Sequence, residues 1–151
     1  MKLFLLLLLV VLFVACKDDQ LYGINADTKT YMLANKRWQA IAIFTKSPQG
    51  IVLRDDYILL PDYQKDDYYF LKSDSTFELN DNTNLHPGAQ TPILATGTWK
   101  LAASDTYLEL KSDNIAVIQD PLAITSISGT EFSVEVPVPE GRKFMSFRAL
   151  K

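Results

Sequence analysis

Few side chains in this sequence are equipped for chemistry, and most of those are carboxylates. Two acidic doublets, Asp55-Asp56 and Asp66-Asp67, have the residue type that a glycosidase sets on either side of a sugar bond. Neighbouring residues of a strand point to opposite faces, so neither doublet makes a catalytic pair by itself, and both read as solvated strand ends. Asn80-Asp81-Asn82-Thr83-Asn84 offers oxygen ligands for calcium but lacks the glycine and the distant glutamate of an EF-hand loop. The single histidine, His86, stands before Pro87-Gly88 with no acid or nucleophile at a motif spacing, and reads as a solvated loop residue. No glycine-rich phosphate loop, GxSxG elbow or zinc spacing occurs. The expectation is a protein that is not an enzyme, with no catalytic residue, no metal and no cofactor.

The 151 residues suit one domain, and 48% hydrophobic content excludes a disordered chain. A net charge of -3 lacks the basic surplus of a nucleic-acid binder. The lone cysteine, Cys16, excludes a disulfide scaffold.

That cysteine closes a leader. Met1-Lys2 is followed by twelve apolar residues, Leu3 to Val14, then Ala15. A basic start, an apolar run and a small residue describe a secretory signal peptide, residues 1–15. Twelve helical residues span about 18 Å, short of the roughly 30 Å hydrocarbon core of a membrane. Phe13-Val14-Ala15-Cys16 resembles a bacterial lipobox, with Phe13 at the usual leucine position, which implies that Cys16 is acylated and anchors the protein to a membrane. Three acyl chains make a durable anchor. Lys17-Asp18-Asp19 resembles the export signal of surface lipoproteins of the Bacteroidota. The implied location is the outer membrane, at the cell surface or on its periplasmic face.

Residues 16–34 read as a tether, ending in one helical turn near Thr30 to Lys36. From residue 35 to 151 the pattern has period two, the signature of half-buried strands. Strands are expected at Arg37 to Thr45, Asp67 to Lys72, Ser75 to Asn80, Ala95 to Ala103, Thr106 to Ser112, Ile115 to Gln119, Leu122 to Ser128, Thr130 to Val138 and Arg142 to Leu150. Short turns such as Ser73-Asp74, Ser104-Asp105 and Pro139-Glu140-Gly141 join most of them. About eight antiparallel strands in sequence order close most simply as an all-β, up-and-down barrel, with a two-sheet sandwich as the alternative. Its interior would be filled with side chains or would hold one small ligand.

The stretch Gln64-Lys65-Asp66-Asp67-Tyr68-Tyr69-Phe70-Leu71-Lys72-Ser73-Asp74-Ser75-Thr76-Phe77 resembles a hairpin of the Bacteroidota lipocalin-like lipoproteins. Gly97-Thr98-Trp99-Lys100-Leu101 resembles their second hallmark, and Trp38 the tryptophan that opens the domain. The family implies a lipocalin-like barrel and an envelope location, without an established reaction. Many members have glycine where Ser75 stands and a cysteine pair near Tyr63 and Leu85–His86, whose loss here implies a freer segment from Asp81 to Pro92. Lys36 occupies the place of a glycine in the wider lipocalin pattern. The resemblance also allows Arg148 to lie over Trp38 as a cation–π pair, the alternative being a core Trp38 and a solvent-facing Arg148. Asp74-Ser75-Thr76 resembles a Bacteroidota O-glycosylation sequon.

Tyr57, Tyr63, Tyr68, Tyr69 and Phe70 form an aromatic run that is either a ligand rim or half core, half exterior. Trp38, Tyr68, Phe70, Phe77 and Trp99 are the residues expected to touch a ligand. The expected function is a binding module for a small apolar molecule. The alternative is an accessory surface protein with a filled barrel that meets another envelope protein.

Overall fold

A computed structural model describes residues 26–113, 117 and 120–151. The leader 1–15, the lipidation site Cys16 and the export signal Lys17, Asp18 and Asp19 lie outside the described residues. So, apart from Val117, does the strand expected at Ile115 to Gln119.

The chain opens with helix α1 (Ala26–Leu33) and continues into β1 (Lys36–Lys46), β2 (Val52–Asp55), the short helix α2 (Asp62–Lys65), β3 (Tyr68–Leu71) and β4 (Thr76–Asn80). It ends in β5 (Ile93–Ala102), β6 (Tyr107–Lys111), β7 (Leu122–Ile127), β8 (Glu131–Val138) and β9 (Gly141–Ala149). All pairings are antiparallel and follow chain order from β3 to β9, and β9 returns to β1. The result is a closed eight-stranded barrel of β1 and β3 to β9. Closure removes the exposed edges that an open meander would carry. The ninth strand, β2, lies outside this ring, pairing with β1 only from Phe44 to Lys46. All four of its residues are exposed, so it has no buried face and no alternation to read.

One end of the barrel is shut. Helix α1 stops at Asn35, whose left-handed backbone (φ 56°) is the usual way to end a helix without glycine. It is held against three hairpin turns: Lys29 Nζ donates to Asp105 O, Lys36 Nζ to Gly129 O, and Ser73 N to Asn35 Oδ1. Leu33 is fully buried beneath it, so the domain starts within the stretch read as tether. Trp38 is 0% exposed; its indole N–H donates to Leu33 O at 2.9 Å, and its ring meets Phe132 edge-on at 4.8 Å. The other tryptophan, Trp99, is buried nearby and donates to Lys72 O at 2.8 Å.

The cation beside Trp38 is Lys36, 5.8 Å from the ring centroid, and not Arg148. Arg148 faces outward on β9 and binds Glu131, its partner across the β8–β9 ladder, at 2.9 Å. The inward positions on either side of it belong to Phe147 and Ala149.

A bulge redirects β1. Ala40 pairs with Phe147 and Ala42 with Ser146, leaving Ile41 as an extra residue. Beyond it the inward set changes from Trp38 and Ala40 to Ile43 and the fully buried Thr45. Phe44 is turned outside, stacked on Phe144 at 4.9 Å beneath the ammonium of Lys46.

Candidate functional site

At the end opposite α1 the barrel is not filled. A cavity of about 410 Å³ lies between the strands, walled by Ala40, Ile43, Leu79, Leu108, Leu122, Phe147 and similar apolar groups. Segments 47–67 and 81–92 meet at its mouth, which Leu60, Gln64 and His86 line.

None of Trp38, Tyr68, Phe70, Phe77 and Trp99 lines this cavity. Trp38, Phe77 and Trp99 belong to the buried core. Tyr68 and Phe70 alternate with the inward Tyr69 and Leu71, and pack outside against Arg37 and Lys72. The aromatic run therefore divides between core and exterior, and Tyr69 is its inward member. Its ring lies about 6 Å from those of Phe77 and Phe147 (6.1 and 6.2 Å). Burial, then the charge of Asp67, pushes its hydroxyl pKa up to about 12.

The polar corner of the mouth brings together residues that are far apart in the sequence pattern, the Asp66-Asp67 doublet and the segment from Asp81 to His86. The β3–β4 ladder pairs Tyr68 with Asn80, and one further step sets Asp67 opposite Asp81. Asp81 is a fully buried side chain (0%) that accepts from the backbone N–H of His86 at 2.7 Å and bonds His86 Nδ1 at 2.9 Å. These bonds, with a contribution from Asp67, hold the Asp81 carboxyl below its ordinary pKa even though burial, the largest single influence, works the other way. With Nδ1 engaged, His86 turns Nε2 to Asp67 Oδ2, 3.8 Å away. Its ring also meets Tyr63 edge-on at 4.6 Å. His86 is thus a packed residue and not a solvated one.

Asp67 is the unusual member. Its side chain is only 14% exposed, and its Oδ1 is buried with no hydrogen-bond partner among the described residues. Burial is the main cause that lifts its pKa to about 7; the carboxylates of Asp81 and Asp66 add to it, and His86 partly opposes it. Its neighbour Asp66 points the other way, as strand alternation requires, and accepts from the backbone N–H groups of Thr83 and Asn84 at 2.9 and 3.0 Å. Together Asp66 and Asp81 tie down the segment from Asp81 to Pro92 that the missing cysteines implied was freer. The Tyr63–His86 ring contact joins the two positions near which the resemblance implied a lost cysteine pair.

The other doublet is structural. Asp55 Oδ1 accepts from the N–H groups of Tyr57 and Ile58, and Asp56 takes bonds from Arg54 and Thr45. Ser75 is exposed at its turn, with Asp74 Oδ1 bonded to both the N–H and the hydroxyl of Thr76.

Asp67, Asp81 and His86 also present three ligand atoms within 4.8 Å of one another. Asp81 spends both oxygens on His86 and also meets the Asp67 carboxyl, which leaves Asp67 Oδ1 and His86 Nε2 to take a new partner. Two ligands are fewer than a resident zinc ion keeps. The corner is better suited to meet a polar group that arrives with an apolar body.

No protein-family model and no curated protein matches the chain. What it can do is therefore argued from the cavity.

Proposed function

We propose that the chain is a lipid-anchored protein of the bacterial cell envelope, of the Bacteroidota lipocalin-like kind, whose barrel holds a small apolar molecule. The observation that carries this reading is the cavity of about 410 Å³ with its apolar wall. Its size falls in the roughly 300–1,000 Å³ range of small-molecule sites, and such sites are mostly apolar with a few placed polar groups. Acylation at Cys16, export signalled by Lys17, Asp18 and Asp19, and an outer-membrane, surface-exposed location complete the proposal, on the strength of the sequence motifs.

The test is native mass spectrometry of the full chain as isolated, followed by organic extraction. A reproducible bound mass is expected, lost in Ala40→Phe, which grows a ring into the cavity. A bare chain in both proteins sinks the carrier reading. For the anchor, Cys16→Ser should abolish incorporation of a labelled fatty acid, and external protease should reach the wild-type protein on intact cells.

A second reading, contact with another envelope protein, is favoured by the exposed apolar residues Ile51, Val52, Leu53, Ile58 and Leu59 beside the mouth. Crosslinking on cells that captures one partner, released by Leu53→Lys with Ile58→Lys, would support it.

A further inference from the structure

We propose that the molecule held in the barrel is an amphiphile with a protonated amine at one end, and that this head seats against Asp67. The inference rests on the cavity being a ligand site and names the chemistry of its occupant.

The cavity is polar at one end only. Apart from Gln64, Asp67, Tyr69 and His86, every side chain lining it is an alanine, isoleucine, leucine, methionine or phenylalanine. An occupant that fills it must be apolar over most of its length and can be polar only where it meets that end.

Of the three carboxylates near this end, one is fully engaged and one is not part of the cavity wall. Asp81 uses both oxygens on His86. Asp66 Oδ2 caps the backbone of Thr83 and Asn84, and its Oδ1, buried without a partner among the described residues, does not line the cavity. Asp67 lines the cavity with a buried oxygen that accepts from no described group. A buried acceptor left without a donor costs about 1–3 kcal/mol, so a head that brings an N–H restores what burial removed.

Charge selects among the heads able to donate. Asp67 and Asp81 share a single imidazole, the negative charge of Asp66 adds to theirs, and the Lys65 ammonium is held by Asp62 at 2.9 Å. A fatty carboxylate would enter a negative corner with no free cation among the described residues to meet it. An alcohol supplies a donor but no charge. An ammonium supplies both, and its bond to a carboxylate is of the stronger, charge-assisted kind.

The experiment is calorimetric titration of the full chain, held in amphipol, with octylamine, octanol and octanoate at pH 8. Octylamine should bind at least tenfold more tightly than either of the others, and Asp67→Asn should bring it down to the level of octanol. The comparison of heads in the wild-type protein stands even if that variant folds poorly. Equal affinities for the three heads, a preference for octanoate, or an amine preference that survives Asp67→Asn would each overturn the assignment to Asp67 while leaving the cavity a ligand site. Failure of all three compounds to bind would overturn the cavity reading itself, and this inference with it.

Discussion

The indole N–H of Trp38 donates to the backbone carbonyl of Leu33 across 2.9 Å, so the first strand of the barrel holds the last turn of the helix that plugs it. Both residues are fully buried, and the bond satisfies one of the carbonyls that a helix C-terminus leaves open. Trp38→Phe keeps most of the apolar contact but strands that carbonyl, and should cost about 1–3 kcal/mol. Trp38→Ala adds a cavity and should cost about 3–5 kcal/mol. Urea unfolding of both variants checks the order. Equal losses would mean that packing alone holds the plug.

Gly97 pairs with Phe77 across the β4–β5 ladder where two backbones crowd together. A Cβ built there would lie 2.1 Å from Lys111 O and 2.7 Å from Phe77 Cε1. Backbone cannot step aside as a flexible side chain does. Gly97→Ala should therefore destabilise by at least the roughly 1–3 kcal/mol typical of overpacking. A neutral result in thermal melting would show that the sheet relaxes there freely.

Ser75 takes a left-handed backbone conformation, φ 66°, in the turn between β3 and β4. A side chain in that region costs roughly 1–2 kcal/mol, less whatever glycine loses through the greater freedom of its unfolded chain. Ser75→Gly is expected to stabilise by about 0.5–1 kcal/mol, read as a rise in the urea midpoint. Ser75→Ala should leave the midpoint near that of the wild type.

Asp81 tethers its loop through two bonds to a single residue, His86. Asp81→Asn keeps an acceptor for the His86 amide but puts an N–H where the other oxygen stood, so the ring must take the other tautomer and two charge-assisted bonds become neutral ones, at about 1 kcal/mol. Hydrogen exchange should then quicken at the His86 amide and stay unchanged at Trp99, whose N–H bonds Ser75 O at the closed end. Acceleration spread over both would mean that Asp81 supports the whole barrel rather than its loop.

The barrel was legible because each long strand has one wet and one dry face, as in the run from Phe132 to Val138. The hairpins were legible because Ser73-Asp74 and Ser104-Asp105 break that alternation. β2 was missed since neither of its faces is buried, and alternation records burial rather than strand geometry. The bulge at Ile41 was hidden for a related reason. β1 is apolar on both sides, so a change in the inward set leaves no mark on the pattern. The site failed differently. Its aromatic candidates have side chains suited to a ligand, but the inward parity of β3 falls on Tyr69, and the two tryptophans are spent on the closed end. Asp67, Asp81 and His86 were each visible. Reading the hairpin register one residue past Tyr68 and Asn80 would have joined the two acids, whereas the return of His86 to Asp81 depends on a loop path that no periodicity encodes.

The pKa of Asp67 sets the sign of a pH dependence. Burial raises it from 3.8 to about 7, so between those values the folded protein keeps a proton that the unfolded chain gives up. Stability from this group is therefore greatest at the acid end, falls as pH rises from about 4 to about 7, and levels off above. Asp81, whose carboxyl is held low, acts in the opposite sense and only below its unfolded value of 3.8. The two contributions thus occupy separate windows. A carboxyl-carbon NMR titration should find the Asp67 midpoint near 7. Urea midpoints should show wild type losing stability between pH 5 and pH 8, with Asp67→Asn losing less. A midpoint near 4 would mean that solvent reaches the carboxylate. Octylamine supplies a further check, because an ammonium beside Asp67 favours its charged form: saturating amine should pull the midpoint down, and octanol should not.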